Sequence, residues 1–207
     1  MLALVCVFAM FSCGNDDNKT TTKTPEEYIT SAVASSSPTK ITSNVNYKDG
    51  GTTYGGRFEL LIEGNNSILN YTYSRPAEIE DMHDSILMEL EGTVYHKDGK
   101  YTVKGDEYDG NFTGATGFTL NLVKENFKSY NVVQNDNGSY TLTAVVTGDK
   151  VDTVFGCDLM EQGDVTVVIT ANTQYLETIK VTYKTASGAS VSVDSTYTYT
   201  PVTLNFE

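Results

Sequence analysis

The densest set of side chains able to hold an ion lies in the run EIEDMHD, residues 78–84. Glu80, Asp81 and Asp84 supply carboxylates and His83 an imidazole, donors suited to a divalent cation. No His-x-x-x-His pair or other metal spacing accompanies them. A solvated acidic loop between two strands is the simpler reading. NDNG at 135–138 has the look of a calcium loop but lacks the acidic residue that closes one, and a hairpin turn explains it. Nucleophilic catalysis needs a base beside the nucleophile. The two histidines are His83 and His96, and His96 falls at a strand end next to a turn, a surface position. No Gly-x-Ser-x-Gly, paired-cysteine or phosphate-loop motif occurs. Two carboxylates could act on a glycosidic bond, but no spacing selects a pair. Cys157 reads as a small buried apolar residue rather than a nucleophile. The expectation is a protein that is not an enzyme, with no catalytic residue, metal or cofactor.

Cys13 carries a different chemistry. It ends an uncharged apolar run, Leu2 to Phe11, follows the small residue Ser12, and precedes the polar tract GNDDNKTTTKT. About ten apolar residues suit the core of a secretory signal and are too few for a membrane span of about twenty. The arrangement resembles the lipobox of bacterial lipoproteins. The resemblance implies cleavage between Ser12 and Cys13, a lipid such as palmitate on Cys13, and an address on the extracytoplasmic face of a membrane in the cell envelope. Met10 and Ser12 fit the pattern, while Phe11 departs from it. Cys6 is the rival lipid site, but Val5 is too large for the position before it. Nothing charged precedes Asp16, whereas the family's signals begin with Lys or Arg, so the expected natural start lies upstream of Met1. Asp16 and Asp17 also resemble the acidic surface-export signals of some Gram-negative lipoproteins.

This divides the chain into a signal peptide over 1–12, a lipidated Cys13 with a tether to residue 24, and one domain over 25–207. Residues 14–24 have no apolar side chain and cannot bury a core. As a coil they reach roughly 15–20 Å. The remaining length suffices for one domain with its own core. The charge of −13 lies wholly outside residues 1–12. Such a surface repels nucleic-acid backbones, so no DNA or RNA partner is expected. With Cys13 acylated, Cys157 has no partner and no internal disulfide framework is possible.

The elements that must position any site follow from periodicity. Thr24, Pro25, Glu26 and Glu27 form a capping box for a helix over 25–36, with Ile29, Ala32 and Val33 as its apolar stripe, ending before Pro38. The period then switches to two. Apolar alternation runs through Ile41–Tyr47, Tyr54–Ile62, Leu69–Tyr73, Ile86–Val94, Tyr101–Val103, a strand around Val132, Tyr140–Val146, Ile179–Tyr183 and Val191–Tyr199. Val165 to Ala171 is apolar on both faces and reads as a central strand. That makes about ten strands. Asp49-Gly50, Asp98-Gly99, Asn137-Gly138 and Ser187-Gly188 are hairpin turns, so the pattern is an antiparallel meander with sequence neighbours paired. A short helix is expected within 118–128 and one turn within 149–157 ending at Gly156. The glycine- and aspartate-rich 106–117 reads as loop. The tyrosines, 14 in number, suggest sugar stacking, yet they follow strand alternation and cross-strand packing explains them.

Strands apolar on one face need a cover. A twelve-residue helix is about 18 Å long and cannot roof ten strands. The sheet must curl, pack as a sandwich, or keep an incompletely filled concave face. An N-terminal helix beside a lipid anchor, then a long antiparallel meander interrupted late by short helices, resembles the LolA/LolB-type carriers and related lipid-binding lipoproteins. The resemblance covers 25–207 and implies a half-open β-barrel that holds acyl chains. The expectation is thus a mainly β domain, curved into a half-open barrel with an N-terminal helix, that binds a hydrophobic or amphiphilic ligand. The alternative is a packed β-sandwich acting as a structural or adhesive surface module.

Overall fold

The computed structural model describes residues 23–77, 86–106, 114–159 and 161–206. A helix, α1 (Pro25–Ala34), opens the domain. Its capping box forms as the sequence requires: the Glu27 amide donates to Thr24 Oγ1 at 3.3 Å, and the Thr24 amide donates to Glu27 Oε2 at 2.7 Å. These bonds satisfy donors that the first helical turn leaves without partners. Ile29 and Ala32 are buried, and Tyr28 stacks on Tyr140 at 5.0 Å. The helix stops at Ala34, with Ser35 as its cap, a little before the expected end at 36.

Ten strands follow. They are β1 (Lys40–Asp49), β2 (Thr52–Glu63), β3 (Asn66–Pro76), β4 (Leu87–Lys97), β5 (Lys100–Gly105), β6 (Phe127–Gln134), β7 (Tyr140–Val146), β8 (Val165–Ala171), β9 (Leu176–Lys184) and β10 (Ser190–Thr198). A short helix, α2 (Val151–Phe155), lies between β7 and β8. All ten strands form one antiparallel sheet in the order β5-β4-β3-β2-β1-β10-β9-β8-β7-β6. The protein is mainly β, as its periodicity predicts. The sheet is open rather than closed, and β5 and β6 are its edges. One hydrogen-bonded sheet forms, not the two separate sheets of the sandwich alternative.

Asp98 (φ 51°) and Gly99 (φ 75°) both adopt the left-handed backbone of a tight hairpin, which is why an Asp-Gly pair stands there. Gly50, Gly138 and Gly188 occupy the other expected turns, also at positive φ.

Two meanders, β1–β5 and β6–β10, are joined because the first strand pairs with the last. Ile41 stands opposite Tyr197, Ser43 opposite Ser195 and Val45 opposite Val193. One row of the inner face crosses all ten strands in register: Val132, Leu142, Ile169, Ile179, Ser195, Ser43, Phe58, Tyr71, Gly92 and Gly105. At its centre the buried Ser43 and Ser195 hydroxyls bond each other at 2.9 Å, so neither is stranded in the core. Tyr71 lies over Gly92, where a Cβ would collide with its ring, and its hydroxyl donates to the Asp106 carbonyl. An aromatic covering a strand glycine keeps a tight bend packed.

Two expectations are corrected. Residues 118–128 form no α-helix. An extended stretch leads to a single 3-10 turn at Lys124–Asn126, and Phe127 already begins β6. Phe118, Leu120 and Leu122 point inward while Thr119, Asn121 and Val123 are exposed, which is a period of two. The Asn121 amide donates to the Val154 carbonyl, a tertiary bond that ties the extended stretch to α2. β8 is interior, between β7 and β9, but the centre of the sheet is the β1–β10 pair. Only the Val165, Val167, Ile169 and Ala171 face of β8 is fully buried. The turn expected within 149–157 is α2, capped by Gly156 in the left-handed conformation.

Candidate ligand-binding face

The inner face is covered unevenly. The α1 helix packs on β6, β7, β8 and β9. α2 buries Val151, Val154 and Phe155, and Phe118 meets Phe155 edge-on at 5.4 Å. Tyr197 fixes the 114–123 segment: the Phe118 amide donates to its hydroxyl at 3.2 Å. Beneath this cover the core is tight, with Ile29, Phe58, Leu142, Ile169 and Ile179 at 0 % exposure.

Among the described residues the cover ends at β3. Tyr71 and Tyr73 are buried there, whereas Leu90 and Val94 on β4 are only half-buried. On the same face Met88 is 37 % exposed, Val103 46 % and Tyr101 68 %, and alternation puts Ile86 (47 %) with them. Val94 pairs with Val103 and His96 with Tyr101, so the two strands build one continuous apolar stripe. Of the eight exposed large apolar side chains among the described residues, five lie at Ile86–Met88, Tyr101 and Val103. An apolar concentration of this kind marks a contact site more often than scattered single residues do. Arg75, opposite Met88 in register, shares the face of Tyr71 and Tyr73 and brings a cation to the end of the stripe.

The outer face is polar. It holds a hollow of about 550 Å³ over β2–β5, lined by Arg57, Glu59, Thr72, Glu91, Tyr95 and Lys104 among others. Several of its groups are engaged: Glu59 pairs with Lys40 at 2.6 Å, and the Thr93 hydroxyl donates to Asn70 at 2.9 Å. A second hollow of about 540 Å³ lies by Asn46, Gln162, Asp164 and Ser192. Both are open to solvent, so neither is the enclosed chamber that acyl chains require.

Most residues singled out in the sequence lie elsewhere. Ser12 and Cys13 lie outside the described residues, as does the 78–84 cluster with Glu80, Asp81, His83 and Asp84. His96 is half-buried, which corrects the expectation of a surface position, and stacks on Tyr101 at 4.5 Å within the stripe. Asn135–Gly138 forms a hairpin turn, in which Asn137 Oδ1 accepts from the Ser139 amide at 3.0 Å. Cys157 is exposed, which corrects the expectation of a buried residue. The chain leaves α2 at Gly156, and burial passes to Leu159. Partial burial, then the charges of Asp152, Asp158 and Glu161, push the Cys157 thiol up, away from a reactive thiolate.

Among the described residues no group of three or more His, Cys, Asp or Glu side chains could hold a metal ion. Nor is any helix there long and apolar enough to cross a membrane. Alternation in the sequence identifies the Ile86–Val94 face as apolar, but only the placement of the helices shows that none of the described helices covers it. No protein-family model and no curated protein matches the chain.

Proposed function

We propose that this is a lipid-anchored protein of the cell envelope that binds a hydrophobic or amphiphilic ligand without catalysing a reaction, along the inner face of β4 and β5. One observation carries the reading: the stripe of Met88, Leu90, Val94, Val103 and Tyr101 continues the inner face beyond the reach of α1, α2 and the 114–123 segment. Apolar surface left open contributes about 25 cal/mol per Å² when a ligand covers it. An elongated apolar ligand suits a stripe that follows the strand direction. The ligand site in this reading is an open shelf, because the interior beneath the helices is already filled.

The test is native mass spectrometry of protein extracted in mild detergent. A bound amphiphile is expected in the wild type and absent from a Met88→Asp, Val103→Asp double variant. That variant should keep its thermal midpoint, since both side chains already face solvent. Finding no bound amphiphile, and no uptake of a fluorescent fatty acid, would sink the reading. The anchor is tested separately: Cys13→Ala should move the protein from the membrane fraction to the soluble one.

A second reading, a structural or adhesive surface module, is favoured by the full packing of Ile29, Leu142, Ile169 and Ile179. It expects no amphiphile and retention of the variant protein on cell surfaces.

A further inference from the structure

We propose that the tip of the β4–β5 hairpin docks the protein on an anionic lipid surface. Over residues 92–105 Lys97, Lys100 and Lys104 stand with Asp98, while Glu89 and Glu91 lie on the part of β4 away from the turn, in a chain whose net charge is −13. The lysines alternate onto the polar face of the hairpin, while Tyr101 and Val103 stand exposed on the other. Lys97 lies over the Phe206 ring at 4.9 Å and Lys104 over Tyr95 at 5.2 Å, so two of the cations are held in place by aromatic neighbours. Lysine with tyrosine at an apolar edge is the composition that settles at a bilayer interface: the ring lies at headgroup level and the long stems carry ammonium groups to the phosphates.

Charge decides between occupants. A second copy joining edge to edge at β5 would bring Lys100 and Lys104 against their own counterparts, and edge lysines oppose such pairing. An anionic headgroup layer complements them. Polar β5 backbone groups on the free edge stay solvated in that layer, which is wet. The inference shares Tyr101 and Val103 with the amphiphile reading but is carried by the lysines, which that reading does not use.

Hydrogen–deuterium exchange on the full chain reads the tip locally, so binding through residues 2–11 does not count. Exchange of 92–105 should slow on mixed phosphatidylcholine–phosphatidylglycerol vesicles and stay unchanged on pure phosphatidylcholine. High salt should abolish the slowing. Each lysine at an anionic surface is worth about fivefold in affinity. A Lys97→Glu, Lys100→Glu, Lys104→Glu variant should therefore lose at least about a hundredfold in the titration that follows this protection. Tyr101→Ser should weaken docking while leaving it salt-dependent. Unchanged exchange on anionic vesicles, equal slowing on neutral ones, or an undiminished response in the triple variant would overturn the proposal. A bound amphiphile with an unprotected tip overturns docking alone, and a protected tip with no amphiphile overturns the ligand reading alone.

Discussion

At the scale of the residue, the tyrosines do more structural work than chemical work. Tyr197 anchors the 114–123 cover through Phe118, and burial pushes its phenol up to about 12 from 10.0. Burial, reinforced by Tyr47, drives the Tyr183 phenol higher still. Both groups stay protonated in the folded protein while the unfolded chain ionises near pH 10. Above that pH the unfolded state binds fewer protons than the folded one, so stability falls as pH rises. The slope approaches about 1.4 kcal/mol per pH unit for each group until its folded pKa is reached. Urea midpoints should therefore drop between about pH 10 and about pH 12, less steeply in Tyr197→Phe. A flat profile across that range would count against neutral, buried phenols. The cap residues were legible from sequence because they act within four residues of one another. The environment of Cys157 was not, since its exposure depends on where α2 ends relative to the core.

At the scale of the element, α1 is held by two different forces that substitution can separate. The Thr24–Glu27 box satisfies backbone donors, and Thr24→Ala should cost about 1 kcal/mol. Ile29 fills a site with no solvent contact, and Ile29→Ala should cost about 2–5 kcal/mol through lost burial and a cavity. Equal losses in chemical denaturation would contradict this account. The strands are legible from period alone, because alternate side chains must face opposite sides of a pleat. The 118–128 stretch misleads because Phe118, Leu122, Val123 and Phe127 also fit a helical spacing. A tertiary bond to Val154 and the burial of Leu120 select the extended form.

At the scale of the whole molecule, the first and last strands meet in the middle of the sheet. β10 pairs with both β1 and β9. Removing residues 190–207 takes a central strand, not an edge, and strips one partner from each neighbour. The shortened protein should lose cooperative unfolding, with a broad calorimetric transition in place of a sharp one. A sharp transition near the wild-type midpoint would mean that the two meanders fold independently. The uneven roof is also a property of the whole. α1 gathers over β6–β9, and among the described residues the β4–β5 flank keeps its apolar stripe exposed.

The order of residues by itself determined the capped helix, about ten one-sided strands, their hairpin turns and an acidic surface. It also carries the Cys13 pattern from which the anchor is proposed. Each of these depends on neighbours close in the chain, where periodicity, caps and turn chemistry act. Only the tertiary structure decided that β1 joins β10, that β5 and β6 are the edges, and which apolar face is covered. Those outcomes come from pairing between residues more than a hundred positions apart and from competition for a limited helical roof. Local pattern records neither.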